Sequence, residues 1–480
     1  MNYRMILYIL GWVLKIESIS MVIPLICALC YSEHDETYVW LICIALCLLT
    51  GTLLSVKQPS NKTMYAREGF VAVAFSWILM SLFGSLPFII SGYIPNFANA
   101  LFETVSGFTT TGASILTNVE VIPKSLLMWR SLSHWIGGMG VLVFLMAIVP
   151  LSGGGNVHLL KAESPGPSVS KLVPKVKSTT IILYAIYIAL TFIQIIMLLC
   201  GGLDLFTSLT LSFGTAGTGG FSILNSGIAS YSPYVQYVIT VFMILFGIDF
   251  SLYHALLFRE AKSILKSSEL KAYLGIIAIS VLFIFMNTKW MFNTAEEAFR
   301  HISFTVGSII TTTGYSTTDF NLWPEFSRVI LVILMFVGAC AGSTGGGIKV
   351  SRILILLKSI GKEIRTSVHP RTTLKLKLNG KVIPHETVRG VNVFMSAYVM
   401  IFFASFLLIS LDNFGFTTNF TAIAATLNNI GPGLDMVGPT GNFSEFSNLS
   451  KIVMSICMLV GRLEIFPMLL LFSPHTWAKK

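Results

Sequence analysis

The 480-residue chain alternates long apolar runs with short polar or basic connectors, and that alternation leaves few folds open. Several runs exceed the roughly 18 apolar residues that mark a transmembrane helix. Apolar residues make up 54% of the chain and charged residues only 11%, against about a quarter charged in a soluble domain. The pattern predicts an all-α polytopic membrane protein. Spans are expected over 5–31, 38–56, 70–93, 126–150, 179–202, 233–258, 272–288, 328–357, 390–411 and 450–472. The first run, ILYILGWVLKIESISMVIPLICALCY, is too long for a signal-peptide core and lacks a small-residue cleavage site after it, so it reads as a retained helix.

The net charge of +10 reports topology rather than nucleic-acid binding. Basic residues concentrate at 57–67, 151–178, 259–271 and 349–389, whereas the SEHDE loop at 32–36 is acidic. The positive-inside rule places the basic segments and both termini in the cytoplasm, and the loops at 93–125, 203–232, 289–327 and 412–449 outside. The seven cysteines, Cys27, Cys30, Cys43, Cys47, Cys200, Cys340 and Cys457, all fall in apolar runs. With no second ligand pair near the Cys27–Cys30 CxxC, they read as packed thiols.

Each outer loop carries a short apolar segment: NALFETVSGFT, DLFTSLTLSFGTA, AEEAFRHISFTVGSII and FTAIAATLNN. Segments of this length are too short to cross a bilayer and predict re-entrant helices. A polar, glycine-containing stretch follows each one: TTTGAS (109–114), GTGGFS (217–222), TTTGYS (311–316) and NNIGPG (428–433). Alone, any of these could be a turn between helices. In register, at intervals of roughly a hundred residues, they indicate internal duplication. The expected organisation is an N-terminal helical hairpin (1–60) and four pseudo-symmetric span–pore loop–span repeats at 61–160, 161–265, 266–380 and 381–480, around one central pore.

Non-helical backbone is tolerated at membrane depth only where it is buried in protein or lines a cavity. Four extended stretches meeting at one axis can turn carbonyls inward and replace the water shell of a cation. Glycine is required where successive inward carbonyls demand angles that a Cβ forbids. The expected ion-binding residues are Thr109, Thr110, Thr111 and Gly112; Gly217, Thr218, Gly219 and Gly220; Thr311, Thr312, Thr313 and Gly314; and Asn428, Asn429, Ile430 and Gly431. Threonine hydroxyls are expected to add oxygens at the mouth or base. The negative C-terminal ends of the short helices also favour a cation there.

The quartet TTGAS, TGGFS, TTGYS and NIGPG resembles the Trk/Ktr/HKT superfamily of potassium transporters. The segments SHWIGGMG (133–140), AESPGPSVSKL (162–172), CAGSTGGGIK (340–349) and GRLEIFP (461–467) narrow the resemblance to Trk-type bacterial potassium uptake subunits, over essentially the whole chain. The resemblance implies a single-chain pseudo-fourfold pore in the bacterial cytoplasmic (inner) membrane, a homodimer, and a cytoplasmic ring of nucleotide-binding regulatory subunits. It also implies that the aligned glycines favour potassium over sodium, since related plant sodium carriers have serine at the first. With fewer glycines than TVGYG, fewer ion sites and weaker discrimination are expected.

Two further features point to a gate. The span at 328–357 is interrupted by AGSTGGG, and glycine costs about 1 kcal/mol in a helix interior. At 1.5 Å per residue the break lies roughly 20 Å below the outer end. Gly342, Ser343, Thr344, Gly345, Gly346 and Gly347 are the expected mobile loop; a packing kink is the alternative. Arg462 lies at similar depth, where a charge is costly and functional by default. The resemblance places this arginine under the filter, as a positive barrier that could also hold the loop; a structural ion pair is the alternative.

Other intramembrane groups are less specific. Asp249 could draw cations to the inner vestibule or pair with a basic loop residue. Lys15 and Glu17 read as marking the inner start of the first span, with Lys15 snorkelling, and Arg130 and His134 as lying near the outer interface. No nucleotide motif or metal-ligand cluster occurs, and the eight histidines are scattered, so no enzyme activity and no cofactor is expected on this chain. Nucleotide control would come from a partner, docked on 151–178 and 349–389. The expected function is gated, channel-like potassium uptake. A cation-coupled secondary transporter (symport, or a sodium carrier) is the alternative, because broken helices occur there too.

Overall fold

The computed structural model describes residues 1–60, 65–140, 176–257, 266–371, 374–379 and 381–478. The AESPGPSVSKL segment, the second half of the expected 126–150 span and most of the basic 151–178 and 259–271 loops lie outside these residues.

The described chain is helical apart from one β-hairpin. The N-terminal pair comprises α1 (Tyr3–Ser20), continued by α2 (Val22–Cys30), and α3 (His34–Ser55). Four sets of three elements follow. The first holds α4 (Ala66–Gly84) with α5 (Leu86–Ile90), then α6 (Phe97–Phe108) and α7 (Lys124–Gly138). The second holds α8 (Val176–Cys200), α9 (Leu205–Gly217), and α10 (Pro233–Phe246) with α11 (Phe250–Leu257). The third holds α12 (Ser268–Thr288), α13 (Ala295–Ile310), and α14 (Glu325–Val337) with α15 (Val350–Val368). After the hairpin of β1 (Lys377–Leu378) and β2 (Lys381–Val382) come α16 (His385–Ile409), α17 (Phe416–Leu427), and α18 (Asn448–Arg462) with α19 (Phe466–Phe472) and α20 (Pro474–Trp477).

Among the described residues six helices are long and apolar enough to cross a membrane, or seven if a bent pair is one span. That pair is α10 and α11, bent by 89°. The expected 233–258 and 450–472 spans, read as unbroken helices, are corrected on that point. The second long helix of each set is short: α7 has 15 residues, α10 14, α14 13 and α18 15. The expected 233–258 span turns at Gly247–Asp249, and the 450–472 span breaks at Leu463–Ile465, where Glu464 and Ile465 have φ of 61° and 67°. In the third set the break runs from Gly338 to Lys349, longer than the AGSTGGG segment.

The short helices α6, α9, α13 and α17 begin at polar loops and run inward. Asn96, Asp204 and Thr294 accept from backbone N–H groups of the first turns of α6, α9 and α13, supplying the N-caps that isolated short helices need. At 1.5 Å per residue their 12 to 16 residues cover only about 18–24 Å, so none crosses the bilayer.

The N-terminal pair is fixed by close approach of backbones. A Cβ on Gly11 of α1 would lie 2.6 Å from the Gly51 carbonyl oxygen of α3. Small residues let membrane helices pack this way without a hydrophobic driving force. Because α1 begins at Tyr3, Lys15 is about 18 Å along it, and it does not snorkel at an end: its Nζ lies 4.8 Å from the Trp12 ring centroid. Glu17 is buried, with neither carboxylate oxygen hydrogen-bonded among the described residues. Cys30 and Cys200 are exposed on the apolar perimeter rather than packed inside.

Gly11→Leu is expected to wedge α1 from α3 and cost about 1–3 kcal/mol, the usual range for overpacking. A lowered thermal midpoint of the detergent-solubilised protein checks this; an unchanged midpoint would contradict the crossing.

Candidate functional site

The four polar stretches adopt one backbone conformation. Thr110, Thr218, Thr312 and Asn429 have φ of 56°, 56°, 59° and 56°. Two residues on, Gly112, Gly220, Gly314 and Gly431 have φ of 78°, 79°, 83° and 100°. The residue between them, Thr111, Gly219, Thr313 or Ile430, is not left-handed in any copy. Alternating handedness brings successive peptide groups to one side of the chain, the geometry of backbone ion sites. Left-handed φ is a genuine outlier for a β-branched residue, so its appearance at three threonines marks a conformation imposed by the surroundings.

Each conformation grows from the helix before it. The N–H of Thr111 donates to Ser106 O at 2.9 Å, Gly219 to Gly214 O at 2.8 Å, Thr313 to Ser308 O at 2.8 Å and Ile430 to Ala425 O at 2.9 Å. The preceding N–H groups donate three residues back, as Thr110 does to Gly107 O at 3.1 Å. This is the Schellman ending, with Thr or Asn where glycine is usual. It commits the N–H groups to the helix. The carbonyls of Thr111, Gly219, Thr313 and Ile430 accept no hydrogen bond among the described residues.

Those carbonyls close a ring. A Cβ on Gly112 would overlap Gly219 O, one on Gly220 would overlap Thr313 O, and one on Gly314 would overlap Ile430 O. On Gly431 it would lie 2.7 Å from Thr111 O. Each glycine thus faces the carbonyl just before the next glycine, in the order first, second, third, fourth, first.

The hydroxyls serve mostly as struts. Thr109 donates to Val105 O at 2.6 Å and Thr311 to Gly307 O at 2.7 Å, and each touches the threonine two residues on, at 2.8 Å. Thr218 bonds Gly217 O at 2.6 Å. Only Thr110 Oγ1 among these threonines is buried without a partner in the described residues. In the fourth stretch Asn428 Oδ1 accepts from Tyr398 at 3.0 Å, and Asn429 Nδ2 donates to Thr111 Oγ1 and Met458 O, both at 2.9 Å.

Two residues read as interfacial lie instead between the first and second stretches. His134 Nδ1 is 2.7 Å from Gly107 O, and its Nε2 accepts from Phe221 N at 3.3 Å, which fixes a neutral tautomer. Its ring fills the space beside Gly219, and its carbonyl the space beside Gly217. That is why GTGG stands where the first and third copies have TTTG. Arg130 is buried against Glu103 at 2.8 Å. Glu103 also accepts from Ser114 Oγ at 3.0 Å and Ile115 N at 3.0 Å, while Arg130 Nη1 donates to Ser222 O at 3.2 Å. The pair therefore staples the chain leaving the first and second stretches.

Below the ring lies the 338–349 break. A Cβ on Gly345 would lie 2.8 Å from Thr311 O, and one on Gly346 would overlap Asn428 O. Gly346 N donates to Thr312 Oγ1 at 2.6 Å, Thr344 Oγ1 to Phe246 O at 3.2 Å, and Ser343 Oγ to Cys340 O at 2.6 Å. Gly342 and Gly347 are left-handed. Lys349, itself buried, donates to Gly345 O. Arg462 donates to Thr344 O at 2.7 Å, to Gly138 O at 2.8 Å and to Gly137 O. It joins the end of α7, the interrupted loop and the end of α18. Glu464 pairs with Arg352 instead.

Sequence reasoning missed Glu269. Its Oε1 accepts from Ala341 N at 2.7 Å and Ser351 N at 3.1 Å, gripping the interrupted loop from both sides. Asp249 is in no ion pair among the described residues: it caps α11, accepting from Ser251 N at 2.8 Å and Ser251 Oγ at 2.5 Å, and stands beside Gly342 of the interrupted loop. A signal existed for the extra breaks. Gly138, Gly247, Gly338 and Gly461 all stand at or next to the ends of the short second helices.

Arg130→Met is expected to cost about 3–5 kcal/mol by leaving Glu103 buried and uncompensated. The double variant Glu103→Gln/Arg130→Met should recover most of that loss, as read by thermal unfolding in detergent.

The TrkH family, described as cation transport protein, matches residues 37–479. The Trk system potassium uptake protein TrkH of Halomonas elongata is 33% identical, with all of both chains covered. TrkH of Escherichia coli K12 is 35% identical, with 99% of this chain and 100% of that protein covered. The crystal structure of the potassium transporter TrkH from Vibrio parahaemolyticus superposes with a TM-score of 0.89 at 32% identity, covering 100% of each chain.

Proposed function

From the premise that this chain belongs to the TrkH family of cation transport proteins, we propose that it takes up potassium through a gated, channel-like pore whose selectivity filter is the ring of four Thr/Gly and Asn/Gly stretches. Potassium uptake is the activity for which the relatives are named. The observation that carries the reading is ring closure, in which each left-handed glycine abuts the neighbouring stretch's free carbonyl. Backbone oxygens held at fixed spacing replace water around a dehydrated ion, and four C-terminal helix ends add negative potential there.

The chain would then be an N-terminal hairpin (1–60) and four pore repeats, 61–160, 161–265, 266–380 and 381–480. It would sit in the bacterial inner membrane with its basic loops and both termini in the cytoplasm. A homodimer with a cytoplasmic nucleotide-binding regulatory ring is the assembly the family resemblance implies. The 338–349 loop would be the gate. Its contacts with Thr311 O, Thr312 Oγ1 and Asn428 O support a plug directly under the filter. Arg462 would hold that plug and oppose a passing cation.

Rubidium flux into proteoliposomes, with sodium as competitor, tests the filter. The wild-type protein should pass rubidium in preference to sodium. Gly314→Ser, whose Cβ would overlap Ile430 O, should lower that preference by roughly tenfold, or about 1.4 kcal/mol. An unchanged ratio would remove the ring from ion selection.

The gate is tested by Arg462→Gln and by deletion within 341–347. Both should raise the flux of the chain without regulatory subunits. Unaltered flux in both would remove the loop and Arg462 from gating.

A further inference from the structure

A cavity of about 550 Å³ lies between α15, the β1–β2 hairpin and the first turns of α16. No part of the ion path uses it. Its lining carries Lys362, Lys375, His385 and Arg389 against one acid, Glu363, with the Asn392 amide beside them. None of the four basic side chains is ion-paired among the described residues. The walls are apolar, with Leu376, Ile383 and Val393 among them. A concave site with two lysines and an arginine free of ion pairs among the described residues, a histidine beside them and a greasy wall calls for an anion attached to hydrocarbon.

The surroundings put this cavity at the membrane edge. The helix α16 opens a candidate span at His385. Arg389 and Asn392 therefore lie about 6–10 Å from the end of that span, at the level of lipid headgroups. The other wall, α15, is amphipathic. Leu357, Ile360, Ile364 and Val368 stand on one face at intervals of three and four, each more than half exposed, while Lys358, Lys362 and Arg365 occupy other faces. That is the pattern of a helix lying in the bilayer interface. Basic pockets between membrane helices near this level hold anionic headgroups.

We propose that this cavity binds the headgroup of an anionic phospholipid, with Lys362, Lys375, His385 and Arg389 meeting the phosphate and the apolar walls receiving the glycerol and upper acyl chains. The site requires only that α16 spans the membrane and does not depend on the direction of insertion or on the ion path.

The test uses the full chain, purified with mixed phosphatidylglycerol and phosphatidylcholine and read by native mass spectrometry. The wild-type protein should retain phosphatidylglycerol preferentially. Lys375→Gln/Arg389→Gln should weaken that retention by roughly tenfold or more, given the attraction each basic side chain contributes at an anionic surface. Arg4→Gln/Lys57→Gln, equal in charge change but on other exposed residues, should retain the lipid as wild type does. Matching thermal midpoints establish that all variants are folded.

Wild-type retention by the Lys375/Arg389 variant overturns the proposal. Equal loss in the Arg4/Lys57 control also overturns it, because the attraction is then diffuse. Displacement of the lipid by inorganic phosphate or glycerophosphate alone makes this a free-phosphate site and overturns it as well. So does a Lys375/Arg389 variant that keeps the lipid but no longer binds the regulatory subunit, since the surface is then a protein dock.

Discussion

The structure depends on one constraint: unpaired backbone at membrane depth must be held by protein, because lipid offers it nothing. Four helices end there, and each ends by turning left-handed at a threonine or asparagine. Such a turn costs of the order of 1–2 kcal/mol at a residue with a Cβ, and more at a β-branched one. It persists because three sets of contacts over-determine it. The N–H groups fold back onto their own helix, the hydroxyls brace the same turn, and each glycine is pressed against the next stretch's carbonyl. No single stretch could hold this conformation alone. The ring is a cooperative object, and its strain is shared among four segments far apart in sequence.

The same constraint governs the layer beneath. Each described second helix of a set stops short, which exposes a C-terminal cluster of carbonyls inside the protein. Hydroxyls and a loop N–H meet those carbonyls at α10 and α14, and a cation meets them at α7. Arg462 serves the end of α7 and the interrupted loop together, and Lys349 serves the loop from within. A guanidinium with several fixed donors suits this better than a single point charge. Glu269 supplies the complementary acceptor for the loop's free N–H groups. The region below the ring is therefore held by hydrogen bonds to backbone, some from side chains and some from neighbouring backbone, as Cys340 N to Gly247 O and Phe250 N to Gly342 O.

Legibility from the sequence follows physical cause. Long spans are written in apolar run length, and the short helices in runs too brief to cross. The register of Gly112, Gly220, Gly314 and Gly431 is visible because the pattern recurs four times, and Arg462 stands out because charge is rare in such a run. The left-handed threonines are invisible, since local preference opposes them and only the assembled neighbours impose them. Hydropathy does not show the breaks after Gly247 and before Phe466, which lie inside continuous apolar runs; only the glycines at those helix ends mark them. The placement of His134 and Arg130 is hidden for a related reason. Depth along a helix does not say what the helix faces, and both turn toward the ring rather than toward an interface. The hydrogen-bond partners described above for Arg462 and Glu269 are backbone groups, which carry no residue identity to read.

The departures from fourfold symmetry follow from what stands behind each stretch. His134 takes up the space that threonine side chains fill in the first and third copies, so the second copy is reduced to Gly217, Thr218 and Gly219. Asn429 reaches across to Thr111, a bond a threonine is too short to make, and so closes the seam between last and first. The loop beneath belongs to the third set alone, and it contacts the third and fourth stretches, through Thr311, Thr312 and Asn428. The four walls share one backbone conformation, but a single chain can vary each wall independently. Identical subunits could not place one loop under one side of a ring without placing four. The asymmetry below the ring is thus a direct consequence of building it from one chain.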